Sequence, residues 1–305
     1  MKGARLTVFH ASDFQVGAPF LPEAVDAMLR VFESVSPDVV VVSGDLTQRA
    51  RRGEFQLARR ILDRFGAGTP VVVTPGNHDV PLYRFWERIA APFGQWDAFV
   101  GGRARDSVTR VPGATFVALA SAAPRRAVVN GRIDESQLDF ARRAFAAAPS
   151  LDDLRIVVTH HHFVSAPDGD GGSPMPRAAE IAAAFQEMGA DAVLGGHVHQ
   201  LHLTTSDDLD ITGVSTVRGG REVVFDSDVP LPFLATGTST SKRGRGVETG
   251  WNSLCVHRFG ADEIEVTPFR RPPAAGDFEK TKVVRFGLRP RGSSSTNGAR
   301  GARAV

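Results

Sequence analysis

"VVVTPGNHD", residues 71–79, decides how the rest of the chain is read: three β-branched residues, a turn containing Gly76, then Asn77, His78 and Asp79 in succession. Such a run suits a strand buried on both faces, with polar side chains gathered where the strand ends. The construction recurs along the sequence. "VVVV" at 39–42 is followed by Ser43, Gly44 and Asp45, and "LTVF" at 6–9 leads to Asp13 and Gln15. "IVV" at 156–158 leads to His160, His161 and His162, and "AVL" at 192–194 leads to His197 and His199.

Helical patterns separate these runs: "PEAVDAMLRVFESV" (22–35), "RGEFQLARRILDRF" (52–65), "DESQLDFARRAFAAA" (134–148) and "RAAEIAAAFQEMG" (177–189). Pro22 suits a first helical turn, and Asp134 with Gln137 forms a capping-box pattern. Together with "FVAL" at 116–119, the alternation predicts an α/β architecture with helices packed outside the sheets. After residue 199 the segments "LHLTT", "EVVF", "FLATG", "NSLCVHRF" and "EIEVTPF" alternate and predict a mostly antiparallel second sheet. The expected organisation is one domain over residues 1–287 and a disordered Gly/Ser/Arg-rich tail over 288–305.

The chain has 305 residues, 42% hydrophobic and 23% charged, with a formal charge of +2. That near-balance argues against a dedicated nucleic-acid binder. A single cysteine, Cys255, excludes an internal disulfide framework and fits a reducing compartment. The opening apolar run is about four residues, against roughly seven to fifteen for a signal core, and none nears the ~18 of a membrane span. A cytoplasmic protein with no membrane partner is expected.

Five polar clusters at strand ends are the arrangement by which α/β sheets gather ligands. Carboxylates, imidazoles and amides together suit a pair of divalent metals. Other polar residues read as ordinary structure. His10, His202 and His257 fit packing roles, Cys255 a buried thiol, and Asp226 with Asp228 a surface turn. Lys242, Arg243 and Arg245 lie among glycines, either as a solvated loop or as a segment from which an arginine reaches a substrate phosphate.

In order, "SDFQ", "GDLT", "GNHD", "HHH" and "GHVH", spanning residues 13 to 199, resemble the motifs of the calcineurin-like metallophosphoesterases. "HHHF" and "ATGTSTSKRGRG" look most like the bacterial class III cyclic-nucleotide phosphodiesterases. The resemblance implies a four-layer αββα sandwich of two mixed sheets. It also implies two divalent cations (Mn, Fe, Zn or Mg, with Mn favoured) and hydrolysis of a phosphodiester, such as a 3′,5′-cyclic nucleotide, by a hydroxide bridging them. One metal would be held by Asp13, position 15, Asp45 and His199, the other by Asp45, Asn77, His160 and His197. His78 would act beside the phosphate as proton donor or charge stabiliser, and His161 and Arg243 would contact the substrate.

The family's first motif carries a histidine where this chain has Gln15. An amide oxygen is neutral like imidazole but a harder, weaker donor, which favours Mn, Mg or Ca character. Gln15 is therefore expected to coordinate through its oxygen and retune the first site. Phosphomonoesters, nucleotide pyrophosphates and DNA remain alternative substrates within this reading. From another class, the alternative is a non-enzymatic binding protein with a degenerate metal site.

Overall fold

The valines of 39–42 divide between two cores. Val39 and Val41 pack against a second sheet, whereas Val40 and Val42 pack against helices. Alternation of this kind is the period-two geometry of a strand with both faces buried. The structure is a computed structural model describing residues 5–66, 68–100, 105–125, 129–166, 169, 171–209, 229–273 and 276–289.

Its strands are β1 (Leu6–Ala11), β2 (Val39–Val42), β3 (Val71–Val73), β4 (Ser107–Val111), β5 (Ala114–Ala118), β6 (Leu154–Val158) and β7 (Ala192–Gly195), followed by β8 (His202–Thr205), β9 (Pro232–Ala235), β10 (Asn252–Phe259), β11 (Glu263–Arg271), β12 (Glu279–Lys280) and β13 (Val284–Gly287). The helices are α1 (Pro22–Val35), α2 (Arg52–Asp63), α3 (Phe85–Ala90), α4 (Gly94–Phe99), α5 (Glu135–Ala146) and α6 (Ala178–Glu187).

One sheet runs β12-β11-β10-β1-β2-β3, with β13 also on β11; the other runs β4-β5-β6-β7-β9-β8. Both are mixed. β1, β2 and β3 are parallel while β10 pairs antiparallel with β1. In the second sheet β5, β6, β7 and β9 are parallel and the edges β4 and β8 antiparallel.

Between the sheets Val8, Val39 and Val41 meet Phe116, Ile156 and Leu194. On the outer face of the first sheet, Phe9, Val40 and Val42 pack on Val25 and Met28 of α1 and on Phe55 and Ile61 of α2. On the outer face of the second, Val117, Val157 and Val193 pack on Leu138 and Phe145 of α5 and Phe185 of α6. This is the expected four-layer αββα sandwich.

The expectation that the strands after residue 199 form their own sheet is corrected. β8 and β9 extend the second sheet, whereas β10 to β13 extend the first. Alternation identifies strands but not their partners. β10 finds the open edge of β1 in a register that keeps Cys255 and Phe259 between the sheets. "EVVF", Asp226, Asp228 and residues 290–305 of the expected tail lie outside the described residues. At α5 the expected cap forms, with the Asp134 carboxylate accepting from the Gln137 backbone at 3.1 Å and the Gln137 side chain from the Asp134 backbone at 3.2 Å. Among the described residues no helix is long and apolar enough to cross a membrane.

Candidate metal centre

Parallel β1, β2, β3, β6 and β7 all deliver their carboxyl ends to one place. Beyond the last ladder bonds of β1 and β2 the loops stay paired: Asp13 N–H donates to Gly44 O at 3.0 Å and Gln15 N–H to Asp45 O at 2.9 Å. Asp13, Gln15, Asp45, His197 and His199 carry φ of 51°, 47°, 51°, 75° and 58°. Left-handed backbone costs a non-glycine residue about 1–3 kcal/mol and concentrates at functional sites. Here it turns five of the motif side chains inward. Glycine is required next to them, since a Cβ on Gly76 would collide with the Asp45 carboxylate and one on Gly196 with Ser12.

Asp13, Asp45 and His199 each present a ligand atom within 4.8 Å of the others, all buried. His199 Nε2 lies 3.4 Å from Asp13 Oδ1, and His160 Nε2 lies 3.4 Å from Asp45 Oδ1. Both imidazoles pair Nδ1 with a backbone carbonyl, His160 with Ser43 O at 2.8 Å and His199 with Arg243 O at 3.0 Å. Such contacts fix the tautomer and turn Nε2 toward a metal. Asp13 Oδ1 and His160 Nε2 are buried without a hydrogen-bond partner. Two unmatched atoms in a carboxylate–imidazole cluster fit divalent cations. Asn77 Oδ1 and His197 Nδ1 are 3.0 Å apart beside them.

Burial pushes the Asp13 carboxyl up to about 7. Burial also works against charge on Asp45, but His160 and the His78 backbone N–H, which donates to Asp45 Oδ1 at 2.8 Å, hold it well below the usual carboxylate range. Burial disfavours the charged form of His160 as well, yet Asp45 raises it to about 9. His199 goes the other way, down to about 3, through burial and then the Arg243 cation.

Gln15 sits in the cluster, but not as expected. Its amide nitrogen lies 3.3 Å from Asp45 Oδ2 and 3.2 Å from His199 Nε2, while its oxygen accepts from the Ser241 hydroxyl at 3.3 Å. The physical reason is donor count: between a carboxylate oxygen and an imidazole lone pair only the NH₂ end can donate. Oxygen coordination requires the amide to rotate by half a turn, after which its nitrogen donates to Ser241.

His78 Nδ1 pairs with Gln48 O at 2.8 Å and its Nε2 lies 3.0 Å from Arg243 Nη1. An arginine can only donate, so the hydrogen sits on Nδ1 and Nε2 accepts. This pattern leaves His78 no proton to give from Nε2, and the positive charge beside it belongs to Arg243. Arg243 is half-buried, also donates to Gln48 Oε1 at 3.3 Å, and is not the solvated side chain that its glycine-rich surroundings allow.

A cleft of about 450 Å³ opens over the centre, lined by Asn77, His78, His197, His199, Arg243 and Arg245 among others. His161, expected to contact substrate, is not part of this lining. It is buried, with Nδ1 2.8 Å from Ser121 Oγ, and its ring packs on His197 at 4.6 Å. His162 stacks on His197 at 5.4 Å and contacts Gly172 O, in keeping with a structural role. His10 and His257 form a buried pair 3.0 Å apart under the centre, and Cys255 is buried.

Sequence reading gave Asp79 no role, yet its carboxylate accepts from the backbones of Leu46, Thr47 and Gly76 and from the Thr47 hydroxyl at 2.9–3.1 Å. It ties the Asp45 loop to the Asn77 loop. Its place at the end of "GNHD" was the signal available.

Comparison of the sequence with curated proteins returns no significant match. Among solved structures the fold is similar to a purple acid phosphatase, PPD1, from yellow lupin (Lupinus luteus) seeds, with a TM-score of 0.63, 13% identity and coverage of 94% of this chain and 54% of that one. It is also similar to a dimetal phosphatase from Danio rerio (TM-score 0.59, 10% identity, 94% and 100% covered). GAP50, the anchor in the inner membrane complex of Plasmodium, is similar too (TM-score 0.57, 12% identity, 95% and 90% covered). The chain thus spans about half the length of the lupin protein. At these identities the likeness is one of fold. Residues 6–201, which hold every motif from Asp13 to His199, match the family model of the calcineurin-like phosphoesterases, and the chain belongs to that family.

Proposed function

We propose that the chain is a dinuclear metal-dependent phosphodiesterase, with cyclic nucleotides the first substrates to test, Mn²⁺ the favoured ion and residues 1–287 the working domain. The observation that carries this reading is the buried Asp13–Asp45–His199 cluster with its unmatched Asp13 Oδ1 and His160 Nε2. Asp13, Gln15, Asp45 and His199 would hold one ion, and Asp45, Asn77, His160 and His197 the other. When bound, the pair supplies Lewis acidity and an activated water at neutral pH.

The chain's own residues do the rest. Two carboxylates against two dications leave a net positive floor that draws in a phosphoryl group. The Arg243 guanidinium, braced by Gln48 and His78, offers donors to a phosphate oxygen. His78, fixed through Nδ1, accepts from Arg243 at Nε2 and so aligns that arginine over the cleft. Asp79 keeps the two phosphate-facing loops in register.

The orientation of Gln15 favours a second reading, a binding protein whose first half-site is closed by an amide. One experiment separates the two. Mn²⁺-loaded protein is assayed on bis-p-nitrophenyl phosphate and p-nitrophenyl phosphate, then on cyclic mononucleotides, nucleotide pyrophosphates and single-stranded DNA. Chelator-sensitive turnover that favours the diester supports the enzyme. Absence of turnover with two metals bound overturns it.

A further inference from the structure

The largest exposed apolar side chains are not scattered. Of the seven exposed among the described residues, four are Tyr83, Phe85, Trp86 and Ile89, with exposures of 83%, 51%, 80% and 42%. They fall in the segment that leaves "GNHD", whose Leu82 lines the metal cleft, and a fifth, Val129, lines the same cleft. Isolated exposed apolar residues need no explanation, but a contiguous cluster marks a surface that something covers.

The same collar is basic. The Arg49 guanidinium lies over the Tyr83 ring at 5.8 Å and Arg88 over Phe85 at 5.8 Å. Arg84, paired with Glu87, donates to Ala50 O at 2.8 Å and holds the Arg49 loop against the aromatic segment, leaving Arg49 and Arg88 as the collar's net charge. Arg125 donates to Ile89 O. Beyond that bond a groove of about 710 Å³ continues from Ala90 and Ala91, lined by Arg105, Arg125 and Arg132 against Asp97 and Asp134, an excess of one positive charge.

We infer that this collar, at the rim of the metal cleft, is a docking surface for an anionic membrane. Three features select a lipid surface over a small ligand or a protein. Tyr83 and Trp86 project into solvent away from the cleft lining, so a ligand in the cleft does not cover them. Trp and Tyr with interleaved arginines are the side chains that settle at a bilayer's headgroup level, apolar body inward and polar end wet. The cations of the collar and groove complement anionic headgroups, and aromatic insertion with basic attraction gives the two contributions that reversible adsorption requires. Lying on a membrane needs no spanning helix. The inference concerns binding alone and does not depend on turnover.

The test is co-sedimentation of the full chain with vesicles of phosphatidylcholine alone or with 30% phosphatidylglycerol, at 0.1 M and 0.5 M NaCl. Binding is expected to the anionic vesicles and to fall at least tenfold in the higher salt. Tyr83→Ser with Trp86→Ser should lower it at least tenfold while the thermal melt is unchanged, because both side chains are exposed. Arg88→Gln with Arg125→Gln should lower it several-fold. No binding by the wild type, or equal binding by wild type and the aromatic variant, overturns the inference. So does a concentration-dependent dimer in sedimentation velocity that the aromatic variant abolishes, since the collar would then cover a second copy.

Discussion

The two halves of the proposed centre would share Asp45, and they are built differently. On one side Asp13, Gln15 and His199 meet, with an amide where an imidazole is expected and with His199 held down to about 3 by burial and Arg243. On the other side Asn77, His160 and His197 supply one amide and two imidazoles, and Asp45 keeps a proton on His160 up to about 9. The first half has the weaker ligand set but no proton on its imidazole at neutral pH. The second has the better donors but must release a proton to use them. The two half-sites thus differ in the group that must give up a proton, the buried Asp13 carboxyl at about 7 in the first and His160 at about 9 in the second.

The largest expected effect removes the shared element. Asp45→Ala should lose both ions, so metal content by mass spectrometry falls toward zero and turnover to background; retention of one ion at wild-type affinity would break the idea that the halves share Asp45. His78→Ala leaves both ligand sets intact and removes the brace on Arg243. Turnover should fall by up to ~10²-fold, the cost of a misplaced phosphate-binding arginine, with metal content near wild type. Parallel loss of metal would mean that His78 supports a ligand loop instead.

The pH comparison has a definite sign. His160 is raised, so at pH 7 it carries a proton that the metal must displace, and each pH unit below about 9 costs that half about tenfold in affinity. His199 is lowered and has no proton to displace at neutral pH, so the slope of its half comes from the Asp13 carboxyl and begins only below about 7. Calorimetry of Mn²⁺ binding at pH 8, between the Asp13 and His160 values, in two buffers of different ionisation enthalpy should find close to one released proton for the tighter event and little for the other. Equal proton release from both events would erase the distinction.

Much of this was legible in the sequence because ligands follow strand ends, and strand ends are local features. Helix α1 occupies the expected Pro22–Val35, and "NSLCVHRF" is β10 residue for residue. Pairing was not legible, since β10 lies beside β1 through contacts some 245 residues apart, such as His10 with Cys255, and no local pattern encodes that choice. α3 and α4 are six residues each, too short for a helical period to register. The left-handed backbone at Asp13 and His199 and the Arg243–His78 contact arise from tertiary packing. The facing of the Gln15 amide depends on Ser241, more than 200 residues away.

The smallest expected effect concerns Gln15 itself. Gln15→His should lower the Mn²⁺ concentration for half-maximal activity by roughly tenfold, and Gln15→Ala should raise it. Three superimposable activation curves would make Gln15 a bystander.

Anomalous diffraction at the manganese edge, on crystals grown with limiting and with saturating Mn²⁺, tests the shared, unequal centre most directly. At limiting Mn²⁺ one peak is expected beside Asn77, His160 and His197. At saturation a second should appear beside Asp13, Gln15 and His199, with an Asp45 carboxylate oxygen coordinating both. A single peak at saturation, or two peaks with Asp45 in contact with neither, would contradict the account.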